Sequence, residues 1–106
     1  MAALEFPAAD QLELTGVMYA LSDPTKLAIV RQLASSRGRP LSICTALLGD
    51  RPKSSMSHHF KILRKAGVIE TTTMGKEHLN RLRTTDLDAK FPGLLKVVRR
   101  AIRAES

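Results

Sequence analysis

A lone cysteine, Cys44, stands among 106 residues, so no disulfide forms within the chain. Tryptophan is absent and the aromatics come to one Tyr and three Phe, too few for the stacking platform that grips single-stranded nucleic acid. No stretch approaches the roughly 20 apolar residues of a membrane-spanning helix. The opening MAALEFPAADQLE is acidic and lacks the basic start and apolar run of a signal peptide. A cytoplasmic protein with no membrane partner is therefore expected. Also missing are a nucleophile beside a base, paired carboxylates and a Gly-rich phosphate loop. These absences predict a chain that is no enzyme, with no catalytic residues and no cofactor.

The length suits one domain, 1–106, and leaves no room for a separate ligand-binding one. A domain of this size buries only about 60 to 70 per cent of the surface its unfolded chain exposes, which favours association with a second subunit. Seventeen Lys and Arg against ten Asp and Glu give a net charge of +7, a bias toward polyanions. That charge is concentrated. From Arg51 to Arg83 the bases Arg51, Lys53, Lys61, Arg64, Lys65, Lys76, Arg81 and Arg83 face only the acids Glu70 and Glu77. A surface kept basic for solubility alone would intersperse both signs.

The apolar spacing predicts five helices and a two-stranded hairpin. Asp10 with Glu13 three residues on resembles a capping box, and Leu14, Val17, Met18 and Leu21 follow at helical spacing, giving a first helix over 10–21. Asp23 and Pro24 read as N-cap and first-turn proline of a second, with Leu27, Val30 and Leu33 as its stripe up to the break at Ser35, Ser36, Arg37 and Gly38. Ser42 can cap a short third helix carrying Ile43, Ala46, Leu47 and Leu48, closed by Gly49. Asp50 can cap the fourth, with Pro52 in its first turn. On that fourth helix Met56, Phe60 and Leu63 fall in one arc, and Ser54, Ser57, His58, Lys61 and Lys65 lie opposite. Val68 to Thr73 is β-branched, Met74-Gly75-Lys76 supplies a turn, and His78 to Thr84 can return as a second strand. Leu79 and Leu82 are three apart, so the faces of the returning strand are not assigned. Phe91, Leu94, Leu95, Val98, Ala101 and Ile102 then stripe a last helix entered through Pro92.

Two short helices joined by a Gly-containing turn, the second basic outside and followed by a hairpin, describe a winged helix-turn-helix. The fold expected is mainly α with a small β-hairpin: the helix-turn-helix over 42–66, the wing over 67–84, and helices 10–21 and 91–104 as the dimer interface. A helix entering the major groove needs outer residues short enough for close approach and able to pair with base edges. Ser54, Ser55, Ser57 and His58 suit that role. Lys53, Lys61, Lys65, Lys76 and Arg81 suit phosphate contacts, which set register and affinity rather than sequence choice.

ALSDPTKLAIVRQLA in the second helix, SSMSHHFKILRKAGVIE in the fourth helix and its exit, and GKEHLNRLR in the wing together resemble the ArsR family of bacterial repressors. The resemblance runs from about Ala20 to Leu82. It implies a homodimer built from the first and last helices, binding of double-stranded DNA at an operator, and release when an inducer, not identified by the sequence, binds. Two departures stand out. The family usually has a Ser or Thr cap where this chain has Pro52. Metal-responsive relatives carry paired thiolates on the third helix or His and carboxylate ligands on the last, whereas here the third helix holds only Cys44 and no His follows Phe91. No metal site is expected.

Some residues admit two readings. Cys44, beside Ile43, Ala46 and Leu47, is either a thiol sensor or a small buried hydrophobe. His58 and His59 point about 100° apart and do not form the i, i+4 pair that chelates a metal. His58 is read as a groove residue, whereas His59 is either a DNA contact or a half-buried packing residue. His78 is read as wing surface. The last helix, basic beside its apolar stripe, could lie on a membrane surface, but it lacks Trp and its stripe suits a dimer seam better. A winged helix serving as an adaptor for protein or RNA is the alternative function. Steep salt dependence on duplex DNA with little binding to single strands separates the two.

Overall fold

The computed structural model describes residues 2–36, 38–42 and 53–105. Its elements run β1 (Ala2–Ala3), a 3-10 turn at Ala9–Gln11, α1 (Leu14–Ala20), α2 (Pro24–Ser35), β2 (Leu41–Ser42), α3 (Lys53–Ala66), β3 (Ile69–Met74), β4 (Glu77–Leu82), α4 (Thr84–Lys90) and α5 (Leu94–Glu105). The third helix expected from the sequence, with Cys44, lies outside the described residues apart from its supposed cap. Ser42 is instead part of β2, where it pairs with Leu79.

α2 starts where its sequence says. Asp23 accepts the Lys26 backbone N–H at 3.0 Å, satisfying one of the amides that a helix start leaves without a partner. Burial pushes the Asp23 carboxyl up, but the hydrogen bond from the Lys26 amide and the charge of Lys26 outweigh it and hold its pKa below the ordinary 3.8. A carboxyl lowered on folding contributes stability above that ordinary value, and the contribution is lost as pH falls through the lowered one.

The first helix differs from expectation. Asp10 sits inside the 3-10 turn, and it is Gln11 Oε1 that accepts the Ala8 backbone N–H (3.0 Å). α1 begins only at Leu14, with Glu13 as an N-cap whose side chain makes no capping bond. The far end differs too. Thr84 does not prolong the returning strand but opens α4, which buries a single residue, Leu87. Phe91 ends α4, Gly93 turns the chain at φ +87°, and α5 follows from Leu94, so Pro92 lies ahead of that helix rather than within its first turn.

β3 and β4 form the expected antiparallel wing, closed by the two-residue turn Gly75-Lys76 between the paired Met74 and Glu77. Gly75 has φ +61°, the sign that tight hairpin turns demand. Two short strands extend the wing into a sheet of order β1-β3-β4-β2. The inward face of β4 carries Asn80 and Leu82, both buried. Asn80 accepts the Thr71 hydroxyl at 2.7 Å and donates to the carbonyls of Leu41 (3.2 Å) and His78 (3.3 Å). This polar centre ties β3, β4 and β2 together, and among the described residues no buried side-chain N or O lacks a hydrogen-bond partner.

One core unites the elements: Val17 from α1; Ile29, Val30 and Leu33 from α2; Met56, Phe60 and Leu63 from α3; Val68, Ile69, Leu82, Leu87 and Leu95 beyond. Arg83, counted above among the basic flanks of the wing, is buried at 5% exposure. It donates to Asp86 Oδ2 (3.1 Å) and the Pro7 carbonyl (2.7 Å), with its guanidinium 5.0 Å from the Phe6 ring centroid. It thus staples the segment before α1 to the start of α4 and does not face a partner.

Candidate nucleic-acid interface

α3 is held from behind. Met56, Phe60 and Leu63 are at most 1% exposed, each worth about 1.5 to 3 kcal/mol over leaving it in water. That anchorage fixes the rotation of the helix and so decides what it offers outward. Ser55, Ser57, His58, Lys61 and Lys65 are all exposed. Lys53 and Ser54 lie in the first turn of the same helix. Arg64 and Lys65 close its last turn, where cations complement the helix dipole. Lys76 projects from the wing turn and is exposed.

Two of the candidate residues make contacts within the chain. His59 is turned toward α2, its side chain 19% exposed and 3.7 Å from the Asp23 carboxylate. Lys26 Nζ donates to His59 Nδ1 at 3.0 Å. An ammonium has only protons to give, so Nδ1 must accept and the ring proton sits on Nε2. Of the two readings of His59, packing is the one this geometry supports. The rings of His58 and His59 diverge, with centroids 6.2 Å apart and planes at 56°. Arg81 lies across β4 from the helix face: its Nε donates to the Gly38 carbonyl (2.9 Å) and its guanidinium lies 3.7 Å from Glu70, its cross-strand neighbour. Its side chain is nonetheless 49% exposed.

Lys26 escaped the sequence reading. It occupies the third position of α2, usually a solvated place, yet it is 8% exposed. Its ammonium meets Asp23 and also His59, 33 residues on, and no local pattern announces the second contact. Among the described residues no group of three or more His, Cys, Asp or Glu is placed to hold a metal ion, and no helix is long and apolar enough to cross a membrane.

A helix backed by the core, small, polar and basic outside, and followed by a wing with a lysine at its tip, is the arrangement of the reading helix and wing of a winged helix-turn-helix. Residues 21–72 match a helix-turn-helix domain family. The chain is 34% identical over 85 residues to the HTH-type transcriptional regulator YceK of Bacillus subtilis, covering 77% of this chain and 82% of that protein. It is 34% identical over 62 residues to an HTH-type transcriptional regulator of Methanocaldococcus jannaschii, covering 56% of this chain. With the HTH-type transcriptional repressor SmtB of Mycobacterium tuberculosis it shares 36% identity over 77 residues, or 72% of this chain. The chain spans 65% of the archaeal protein and 56% of SmtB. A solved structure of an ArsR family transcriptional regulator superposes with TM-score 0.65 at 26% identity, over 88% of this chain and 97% of that one. The chain belongs to the ArsR family of winged helix-turn-helix transcription regulators.

Proposed function

We propose that the chain is a sequence-specific double-stranded DNA-binding repressor, acting in the cytoplasm as a homodimer on a palindromic operator. The observation that carries this reading is the outer face of α3, where Ser55, Ser57 and His58 sit among Lys61 and Lys65 while the opposite face is locked into the core. Serines and a histidine reach base edges, and the lysines reach phosphates on either side. Lys53 and Ser54, in the first turn of the helix, are proposed as further contacts. The chain serves throughout as one DNA-binding domain, with 42–66 as reader, 67–84 as wing and the helices at 10–21 and 91–104 as its dimer seam.

Repression is supported by the likeness to SmtB, which bears that description. The homodimer is supported by apolar surface. Leu14, Met18 and Tyr19 of α1 are 47%, 56% and 74% exposed, and Val97 of α5 is 65% exposed. Such residues gathered on two helices suit a partner subunit better than water. Sedimentation at micromolar concentration is expected to give one species of twice the chain mass, and Tyr19→Glu is expected to shift it toward monomer. A wild-type monomer would remove the reason for a palindromic operator, since half-site spacing mirrors a two-fold axis.

The readout test separates grip from specificity. His58→Ala is expected to weaken operator binding by about 1 to 3 kcal/mol and leave random duplex nearly unchanged. Lys76→Ala is expected to weaken both DNAs alike and reduce the salt slope by about one unit. Both variants are measured on a duplex selected from random sequence and on a scrambled duplex across a salt series. Equal weakening of both DNAs by His58→Ala would mean that α3 does not read bases through this arc. Salt-insensitive binding, or a preference for single strands, would favour the adaptor role for protein or RNA.

A further inference from the structure

Away from α3 and the wing, basic charge also gathers beside α2 and α5. A cleft of about 260 Å³ opens beside α2 and α5, lined by Arg31, Ala34, Ser35, Arg99, Ile102 and Arg103. Arg31, Arg99 and Arg103 are exposed, and none of their guanidinium groups has an ion-pair or hydrogen-bond partner among the described residues. Among the described residues no acid lines the cleft. Three like charges brought around one hollow repel one another, and an oxyanion placed among them would turn that repulsion into attraction. Guanidinium groups suit this task because each presents paired N–H donors that match two oxygens of a phosphate or carboxylate.

The rest of the lining limits the ligand. Ala34 and Ile102 are half-buried and give the cleft an apolar wall. The Ser35 hydroxyl donates to the Arg31 carbonyl at 3.0 Å, so it is committed within α2. The volume falls below the roughly 300 to 1,000 Å³ of sites for drug-sized ligands. Arg99 and Arg103, four residues apart, share one edge of α5, whereas Val97 and Ala101 lie on its opposite edge. The arginines are therefore set apart from the exposed Val97, while Ile102, which belongs to the stripe assigned above to the dimer, places the cleft at the border of that seam.

We propose that this cleft is the effector site, and that it binds a small organic oxyanion, a phosphate or carboxylate head on a short apolar body. The route to DNA runs along α2. That helix carries Arg31 on the cleft and, at its start, Asp23 and Lys26, which hold His59 of α3. An anion drawing Arg31 toward Arg99 and Arg103 loads the helix against which the reading helix is anchored. The effector role rests on the DNA-binding reading, whereas the binding step is measured without DNA, so the two fail separately.

The test titrates the full-length protein with phenyl phosphate, benzoate and inorganic phosphate, followed by amide NMR shifts. Phenyl phosphate or benzoate is expected to bind about tenfold tighter than inorganic phosphate, with shifts centred on α2 and α5, and the stronger of the two names the head group. Arg31→Gln/Arg103→Gln is expected to weaken that binding at least about tenfold, while the charge-matched Lys96→Gln/Arg100→Gln changes it less than about twofold. All of these substitutions are at exposed positions. Equal loss in both doubles would reduce the effect to general attraction of anions to a basic protein and overturn the site. Inorganic phosphate binding as tightly as both organic probes would remove the apolar wall from the argument. The tighter probe is then expected to change duplex-DNA affinity several-fold in the wild type and not in Arg31→Gln/Arg103→Gln. An unchanged wild-type affinity at saturation would overturn the effector role.

Discussion

Gly67→Ala is expected to destabilise the fold by about 2 to 5 kcal/mol, the sum of a left-handed backbone and a steric collision. Gly67 follows α3 at φ +85°, and a Cβ there would run into Leu12 Cδ2, with Leu12 Cγ and Pro7 Cγ each at 3.3 Å. Leu12 is 3% exposed, so its side chain has nowhere cheap to go. Pro7, on its other side, is bound through its carbonyl to Arg83. The exit of the reading helix is thus packed under the segment before α1. Gly38→Ala isolates the backbone part, because Gly38 has nearly the same angle (φ +83°) and nothing within 4 Å of an added Cβ. Thermal unfolding of the two variants is expected to show Gly67→Ala losing clearly more, by about 10 °C or more from wild type. Equal losses in the two would mean that the N-terminal segment does not press on this turn.

Asn80→Leu is expected to cost about 3 kcal/mol although it keeps roughly the same volume. The substitution leaves the Thr71 hydroxyl, itself buried, without its acceptor and the Leu41 carbonyl without the Asn80 amide. A buried polar group deprived of its partner costs about 1 to 3 kcal/mol. Asn80→Leu/Thr71→Val removes both sides of the strongest pair and is expected to recover much of the loss. Denaturant melts of the two single variants and the double measure this coupling directly. Additive losses would show that the two side chains do not act as a unit. Asn80→Leu is also expected to lower DNA affinity at temperatures where the protein remains folded, because Asn80 fastens the wing to the strand leading into residues 43–52.

The parts of the fold that could be read in the sequence are those whose cause is local. The Asp23-Pro24 start of α2, the inward arc of Met56, Phe60 and Leu63, and the Gly75-Lys76 turn each follow from spacing or dihedral preference within a few residues. The parts that escaped depend on distant partners. β4 refuses to alternate because its inward position is filled by Asn80, which only Thr71 and Leu41 make tolerable. α4 buries one residue and so leaves no periodic stripe, and its two leading threonines look like more strand. Arg83 reads as a surface charge until Pro7 and Phe6 are brought beside it. The same division holds at the candidate site. Ser57, His58, Lys61 and Lys65 were legible as an outward-facing set, and Lys76 as the tip of the wing. His59 was not assignable, because its environment is made by Lys26 from another helix.

The two-residue strands β1 and β2 have a bearing on solubility. A hairpin standing alone exposes two rows of unpaired amides and carbonyls, and either row can recruit a strand from another molecule. Here β1 lies along one flank of the wing, opposite Thr72 and Thr73, and β2 along the other, opposite Leu79 and Asn80. Each is too short to template a further strand. The wing can therefore carry a run of threonines and an exposed Met74 at its tip without inviting intermolecular sheet growth, even where many copies are crowded on one nucleic acid.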